Sequence, residues 1–541
     1  DVILRGLTLV CASLALGGVA WLRLVLRAEP HAKPDAAGRL ALRVVGAVAL
    51  AVAAMQVALM LVALAALADV HGTWPIGLYF ETAFARVATL RAAIGIGVAV
   101  LALTLARRPR GPLAWGALAA GATALVAASA ALSHAVARID GRALLMIFDA
   151  VHQTAAAVWV GGLAHLVIYY AASTRTAGAG HLAGWPLSRH PRQGLDTIDG
   201  GVAGPLVVQR FSRMAFVSVI ALSLAGVGLT LGYVGDLAAF IGTAYGVMIV
   251  SKIVLFVVAL AFASANFRMA RRGMGPAGRL GRFVEVELGL AITVLFAAAS
   301  LTSLPPAVDV REDRATVGEV AARFTPTIPR LVSPPVTELN RTAQPLMAPV
   351  GERLPIERAW SEYNHHWAGF FVVLMGLLAI ADHLGLRAAR HWPLVFLGLA
   401  TFLFIRNDPK AWPLGPTGFW ESLTLPDVLQ HRIFVLLVVA FGVFEWAVRT
   451  GRLAPRPWGY VFPLLCAVGG GLLLTHSHAM FNLKQEFLTE VTHAPIGILG
   501  AFAGWGRWLE LRLPEASRRA GWLWTLCFTA VGAVLLVYRE T

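Results

Sequence analysis

The sequence predicts an all-α polytopic membrane protein with about fourteen transmembrane helices in two parallel, repeat-related halves. The chain of 541 residues is 58% hydrophobic and only 14% charged, with a mean hydropathy of +0.70. Apolar runs long enough to cross a bilayer recur along nearly its whole length. Several short motifs also occur twice in the same order, which is typical of the internal repeats from which many transporters are built.

The apolar runs divide the chain into two membrane domains joined by a linker. Residues 1–304 form a predicted eight-helix domain, 305–362 a proline-rich periplasmic linker, and 363–541 a six-helix domain. We expect the linker to be an extended tether between the two membrane halves, with little regular secondary structure beyond an optional short docking element. The predicted spans are 2–26, 42–68, 86–106, 112–134, 143–172, 206–233, 245–267, 284–304, 366–386, 392–406, 430–448, 458–475, 487–509 and 520–538.

The distribution of lysine and arginine predicts the orientation in the membrane. Short loops that follow odd-numbered spans carry most of these residues, and short loops that follow even-numbered spans carry few. Because positive loops stay in the cytoplasm, both termini are predicted to be periplasmic in a bacterial inner membrane. The chain begins at Asp1 rather than Met, so we expect that a few residues or a signal segment precede it.

Four pairs of motifs support the internal repeat, each lying at a similar depth in its half. From the Trp of the first motif to the last His is 78 residues in one half and 81 in the other. The pairs are Trp74-Pro-Ile-Gly with Trp412-Pro-Leu-Gly, Glu81-Thr82 with Glu421-Ser422, Ser133-His134-Ala135 with Ser477-His478-Ala479, and Asp149-x-x-His152 with Glu490-x-x-His493.

The stretch 475–493, THSHAMFNLKQEFLTEVTH, is the strongest candidate for a site. Polar groups placed in a bilayer are expensive and usually functional. Imidazoles beside a thioether suit copper better than a hard cation. Glu486, Glu490 and His493 are spaced i, i+4 and i+7, so we expect them to share one face of the outgoing helix. The predicted metal ligands of both halves are His134, Asp149, His152, His366, His431, His476, His478, Met480, Glu490 and His493.

Three interpretations of these residues remain open. Histidine, methionine and carboxylate at the outer end of a bundle suit capture of a copper ion for passage inward. Histidines on facing helices also suit axial ligation of b-type haem, in electron transfer or oxidase assembly. In the third interpretation the histidines only cap helices and hold loops together.

Composition and motifs exclude several other classes of function. The net charge of +15 comes from arginines in short loops, so it does not predict nucleic-acid binding. The three cysteines, Cys11, Cys466 and Cys527, are far apart without a C-x-x-C motif, which argues against a zinc site or a disulfide framework. No P-loop motif is present, and we expect no enzymatic activity.

One region resembles the copper resistance D (CopD) family. The similarity is clear over about 140–305 and extends over 1–304, but reaches 363–541 only through the internal repeat. It implies an inner-membrane protein of copper handling that takes copper from the periplasm inward, with a periplasmic copper-binding protein as a possible partner. The motifs that carry it are Val158-Trp-Val-Gly-Gly-Leu163 after His152, Arg210-Phe-Ser, Leu224-Ala-Gly-Val-Gly, and Tyr245-Gly followed by Lys252.

Overall fold

The computed structural model describes residues 2–108, 111–139, 141–177, 203–272, 279–342, 354–475 and 483–540. The chain divides into two compact units. Unit 1 comprises Asp1–Asp236 and Lys252–Val308, and unit 2 comprises Leu237–Ser251 and Asp309–Thr541.

Eight long helices precede residue 305. Helix α1 ends in one turn of π-helix, Trp21–Val25, and two 3₁₀ turns, Ala128–Leu132 and His134–Ala137, follow α4. A short helix, Ile76–Glu81, lies between α2 and α3, and another, Ala239–Gly242, between α6 and α7. The long helices are α1 Val2–Ala20, α2 Ala36–His71, α3 Ala83–Arg107, α4 Pro112–Ala127, α5 Arg142–Ala177, α6 Ala203–Tyr233, α7 Ala244–Arg271 and α8 Arg279–Leu301.

Six further long helices belong to unit 2. A 3₁₀ helix, Arg387–Leu394, leads into α10, and short helices Phe419–Ser422, Pro455–Trp458 and Leu483–Glu490 lie between the long ones. The long helices are α9 Pro355–His383, α10 Val395–Arg406, α11 Pro426–Arg449, α12 Val461–Leu474, α13 His493–Arg512 and α14 Ser517–Leu536.

The helical membrane fold is confirmed. Among the described residues, thirteen helices are long and apolar enough to cross a membrane. The fourteenth predicted span exists as α13, which has the necessary length of 20 residues but is not among those thirteen. Its second half carries Arg507 and Glu510, which lower its hydropathy.

Unit 1 is organised around α1, which packs against α2, α4, α5 and α8. Glycines allow α1 and α5 to approach closely. A Cβ atom on Gly161 would overlap the carbonyl oxygen of Ser13, and one on Gly17 would overlap the backbone of Gly161 and Gly162. Small residues at a helix interface give tight packing where the bilayer offers no hydrophobic driving force.

Unit 2 is held by the pairs α9 with α14, α12 with α13, α13 with α14 and α10 with α11. Its core includes Trp392, Phe462 and Trp524. The guanidinium of Arg449 lies 4.7 Å from the Trp392 ring, and its Nε donates to Oε1 of Glu445 at 2.7 Å in an ion pair. This buried charge is therefore compensated by a carboxylate and by aromatic rings.

The two halves share some helix pairs but not all. The pairs α1 with α2 and α2 with α3 correspond to α9 with α10 and α10 with α11. However, α5 packs against α1, whereas its proposed counterpart α13 packs against α12 and α14, and α14 is the main neighbour of α9. The parallel repeat of the two halves therefore stays a prediction.

The described part of the predicted linker at 305–362 contains short helical elements, and its role as a tether stays a prediction. The segment contains a 3₁₀ turn, Ala307–Asp309, and two short helices, Val317–Arg323 and Val336–Thr342, and α9 already begins at Pro355. Val320 packs with Phe487 and other apolar side chains of unit 2. The prolines end helices without leaving the segment extended, because apolar side chains between them are buried against neighbouring helices.

We predict a pH-dependent contribution of Glu319 to stability. Lys484 lies 2.8 Å from its carboxylate and, with Thr316, lowers the pKa of Glu319 to about 2. Since this carboxyl has a pKa near 4.3 when unfolded, its stabilisation is present above that pH and is lost as the pH falls toward 2. Because the pair is partly exposed, Glu319→Gln should lower the free energy of unfolding by less than about 1 kcal/mol at pH 7. Thermal denaturation in detergent at pH 7 and pH 3 measures this. The same difference in stability between the wild type and Glu319→Gln at pH 7 and at pH 3 would contradict this prediction.

We also predict that the segment before α9 faces the periplasm. Val332 is 82% exposed, so Val332→Cys should react with a membrane-impermeant maleimide in intact spheroplasts, in a chain whose native cysteines are replaced. Arg108→Cys, in the exposed loop after α3, is the control and should react only after permeabilisation. The opposite pattern of labelling would place both termini in the cytoplasm.

Candidate functional site

His152 in α5 has one ring nitrogen fixed by the backbone of α6. Its Nδ1 lies 2.9 Å from the carbonyl oxygen of Leu222. A carbonyl only accepts, so Nδ1 carries the proton and Nε2 keeps its lone pair. Gly226 makes this approach possible, because a Cβ atom there would lie 3.1 Å from Cε1 of His152. The structure therefore prepares Nε2 of His152 as a neutral imidazole ligand.

Asp149 lies one helical turn before His152 on the same helix, as the sequence predicted. Its Oδ2 accepts a hydrogen bond from Nε2 of Gln153 at 2.9 Å. Lys252 in α7 lies within electrostatic range of both Asp149 and His152. Unit 1 thus gathers a carboxylate, an imidazole and an ammonium group between α5 and α7, in an otherwise apolar bundle.

The glycine-rich motif of α6 is explained by its contacts with α5. Gly226 faces the ring of His152, and Gly228 faces Phe148, whose ring a Cβ atom would approach to 2.5 Å. Gly162 of α5 receives Met214 and Phe211 of α6 in the same way. These glycines bring α5 and α6 close enough for the hydrogen bond between His152 and the backbone.

His134 begins the second 3₁₀ turn after α4 and lies near the end of α6. Its Nε2 is 3.1 Å from the carbonyl oxygen of Leu301, and its ring packs edge-on against Tyr233. Tyr233 follows Gly226 by seven residues, roughly 10 Å along α6. His134 and His152 therefore lie at different depths, and the structure does not bring them together as ligands of one ion.

His366, a predicted metal ligand, has both ring nitrogens engaged. Its Nδ1 accepts the backbone N–H of Arg330 at 2.6 Å, and its Nε2 donates to the carbonyl oxygen of Tyr538 at 2.7 Å. With no lone pair left, the ring does not serve as a ligand in this conformation. In this conformation the buried ring joins α9 to two extramembrane segments, and metal binding by His366 stays a prediction.

His431 pairs with a carboxylate that sequence reasoning missed. Nδ1 of His431 donates to Oδ1 of Asp408 at 2.6 Å, and the side chain is 45% exposed. A carboxylate that holds one nitrogen and orients the ring is the usual arrangement behind a metal-ligating histidine. Asp408 precedes His431 by 23 residues across a loop, and no local pattern indicates the pairing.

The predicted site at 475–493 is only partly described. His476, His478 and Met480 lie outside the described residues. Glu490 ends the short helix Leu483–Glu490, and His493 begins α13, with a turn between them. The outgoing helix is therefore divided in two at Val491 and Thr492. A shared face for Glu486, Glu490 and His493 stays a prediction.

Within the described ranges, no group of three or more His, Cys, Asp and Glu side chains is placed to hold a metal ion. The candidate ligands instead occur as separate small sets. In unit 1 these are His134, and Asp149 with His152, and in unit 2 His431 with Asp408. Each set offers one or two donor atoms rather than a complete coordination shell.

Comparison with known proteins adds two matches. Residues 205–301 match the model of the family described as copper resistance protein D. The copper transport protein CutJ of Bacillus subtilis (strain 168) is 27% identical over 228 residues, which cover 42% of this chain and 38% of the relative. The matched region thus spans well under half the length of that relative. No solved structure matches this chain.

We predict that His366 contributes to stability. His366→Ala leaves the N–H of Arg330 and the carbonyl of Tyr538 without their partner, at a cost of about 1–3 kcal/mol. Thermal denaturation in detergent should show a clearly lower midpoint. His71→Ala, at the exposed end of α2, is the control and should leave it unchanged. Equal midpoints for His366→Ala and the wild type would contradict this role.

Proposed function

We propose that this chain, whose residues 205–301 match the copper resistance protein D family, binds copper at its periplasmic face and carries it inward through the bacterial inner membrane. The relative from Bacillus subtilis, named a copper transport protein, supports copper as the cargo. The matched residues form most of α6 and all of α7 and α8.

The observation that carries this proposal is the hydrogen bond from His152 to Leu222, at 2.9 Å. It links α5 to the family-matched part of α6 and fixes the tautomer that exposes the Nε2 lone pair. A metal-binding histidine commonly donates its other N–H to a carbonyl or carboxylate, which orients the ring and raises its basicity. Leu222 supplies that partner, and Asp149 adds a carboxylate one turn away.

Passage inward needs ligands at several depths, each binding copper weakly enough to release it. His134 at the outer end of α6 and His152 roughly 10 Å deeper are suited to successive steps of this kind. Lys252 lies near His152, where its positive charge repels a second cation. One-ligand and two-ligand sets fit a transported ion better than a resident one.

In the second half we propose that His493 and His431 take part, together with the predicted ligands His476, His478, Met480 and Glu490. His431 is oriented by Asp408 and has an exposed ring, as entry of an ion from water requires. His493 lies at the start of α13. A soluble periplasmic copper-binding protein is the partner we propose for delivery.

Two observations favour copper over b-type haem. The family match and the named relative both concern copper. His165, which lies deeper in α5, has Nε2 without a hydrogen-bond partner among the described residues, but this nitrogen faces Gly18, where even a Cβ atom would lie 2.6 Å away. That contact leaves no room for a macrocycle at His165.

We predict that His152→Ala weakens copper binding by at least about tenfold, because it removes the prepared imidazole. Gly226→Val should weaken it less, since the added side chain displaces the ring of His152 without removing it. Titration of purified, tag-free protein with copper measures both. His391→Ala is the control, because His391 accepts a hydrogen bond from Trp446 and lies far along the chain in unit 2. Wild-type affinity in His152→Ala would place the site elsewhere.

A further inference from the structure

A histidine and a glutamate, two kinds of side chain that bind metal ions, also lie close together in unit 2. His383 is the last residue of α9, and Glu510 lies near the end of α13. Nδ1 of His383 is 3.5 Å from Oε1 of Glu510, with side chains 11% and 14% exposed. Neither residue is among the ligands predicted from the sequence.

The distance between these two atoms suits two ligands of one ion. It is longer than the 2.7–3.2 Å of an ordinary N–H···O hydrogen bond. Two donors at about 2.0–2.1 Å from a metal ion, with angles of about 90–120° between them, lie about 2.8–3.6 Å apart. Nδ1 of His383 and Oε1 of Glu510 are therefore spaced as two ligands of one ion are, and the same distance also suits an ion pair.

The remaining contacts of Glu510 hold the carboxylate in place. Its Oε2 accepts hydrogen bonds from Nε1 of Trp524, at 2.6 Å, and from Arg507. Oε1 is thereby turned toward His383. Gly521 packs beside both donor atoms, because a Cβ atom there would lie 2.5 Å from Nδ1 of His383 and 2.7 Å from Oε1 of Glu510. Both donors are thus positioned by packing and hydrogen bonds from neighbouring helices.

An open cavity gives access to this pair. Its volume is about 440 Å³, enough for an ion and several waters. Ser517, the first residue of α14, offers a hydroxyl oxygen as a third donor, and Trp522 forms an apolar wall. Arg518 lies at the exposed rim, and Arg507 partly offsets the charge of Glu510, which favours weak and reversible binding of a cation.

Within unit 2, the cavity lies at the opposite membrane end from His366 and His493. Seventeen residues separate His366 from His383 in α9, and seventeen separate His493 from Glu510 in α13. At 1.5 Å per residue each distance is roughly 26 Å, close to the thickness of the hydrocarbon core. In the predicted topology this end of unit 2 faces the cytoplasm.

We propose that His383 and Glu510, with the Ser517 hydroxyl and water, form a metal-binding site at the cytoplasmic end of unit 2. Imidazole, carboxylate and hydroxyl donors favour a divalent transition metal such as Cu²⁺ over monovalent copper. The identity of the ion as copper rests on the proposed function. The site gives unit 2 a place of release opposite its outer histidines.

The test uses a background that lacks the outer ligands. The tag-free background protein is titrated with Cu²⁺ and followed by electron paramagnetic resonance, with nitrogen couplings reporting bound imidazole. In this background alanine replaces each proposed outer histidine: His134, His152, His431, His476, His478 and His493. One ion with a single imidazole ligand is expected. Adding His383→Gln should remove the imidazole coupling, and adding Glu510→Gln should weaken binding by at least about tenfold. Near-ultraviolet circular dichroism, which reports the packing of Trp522 and Trp524, confirms folding of each variant.

His391→Ala is the matched control. His391 lies in the 3₁₀ helix that follows α9, and its Nδ1 accepts a hydrogen bond from Trp446 at 2.8 Å, so its loss should leave the copper signal unchanged. The inference is overturned if copper binding survives His383→Gln, or if the background protein does not bind copper at all. In the latter case copper binding by the wild type still supports the proposed function. Copper binding that is identical in the background and the wild type overturns the outer sites and leaves this one standing.

Discussion

The hydrogen bond from His152 to the Leu222 carbonyl is the interaction on which the proposed chemistry depends. A carbonyl oxygen accepts twice, so Leu222 keeps its place in the helix while receiving Nδ1–H of His152. The absence of a side chain at Gly226 makes room for the ring. The consequence is a neutral imidazole with a fixed orientation, supported by two packed helices and independent of any loop. Such a donor binds a soft or intermediate cation without first paying an ordering cost.

The membrane imposes the same constraint on the polar groups of both units. Polar groups inside a bilayer require partners within the protein, and the described helices meet this requirement in different ways. In unit 1, glycines bring α1, α5 and α6 into close contact, so that backbone carbonyls serve as acceptors. In unit 2, Arg449 combines Glu445 with a surround of aromatic rings. Groups that pair in this manner stabilise the bundle, whereas His431 and His383 present a ring to water or to a cavity and are free to meet an ion.

The sequence predicted the fold class and the helix order because apolar length alone decides whether a segment spans the bilayer. It also placed Asp149 and His152 on one helix. It failed where tertiary contacts decide. A turn after Glu490 separates that residue from His493, and burial of Val320 shapes a segment whose prolines suggested a tether. The hydrogen bonds of His366 could not be predicted either. Its partners are two backbone groups more than thirty residues away along the chain, and no local sequence pattern indicates them.

Copper flux into proteoliposomes tests the central claim most directly. Purified protein is reconstituted with a copper-sensitive dye trapped inside, copper is added outside, and the initial rate of the dye response is recorded for the wild type and His152→Ala. Orientation is determined in the same preparation by labelling Val332→Cys, so that only outward-facing periplasmic ends are scored. The account predicts rapid entry through the wild type and entry near the protein-free rate through His152→Ala. Equal rates for the two proteins, or no entry through either, would contradict it.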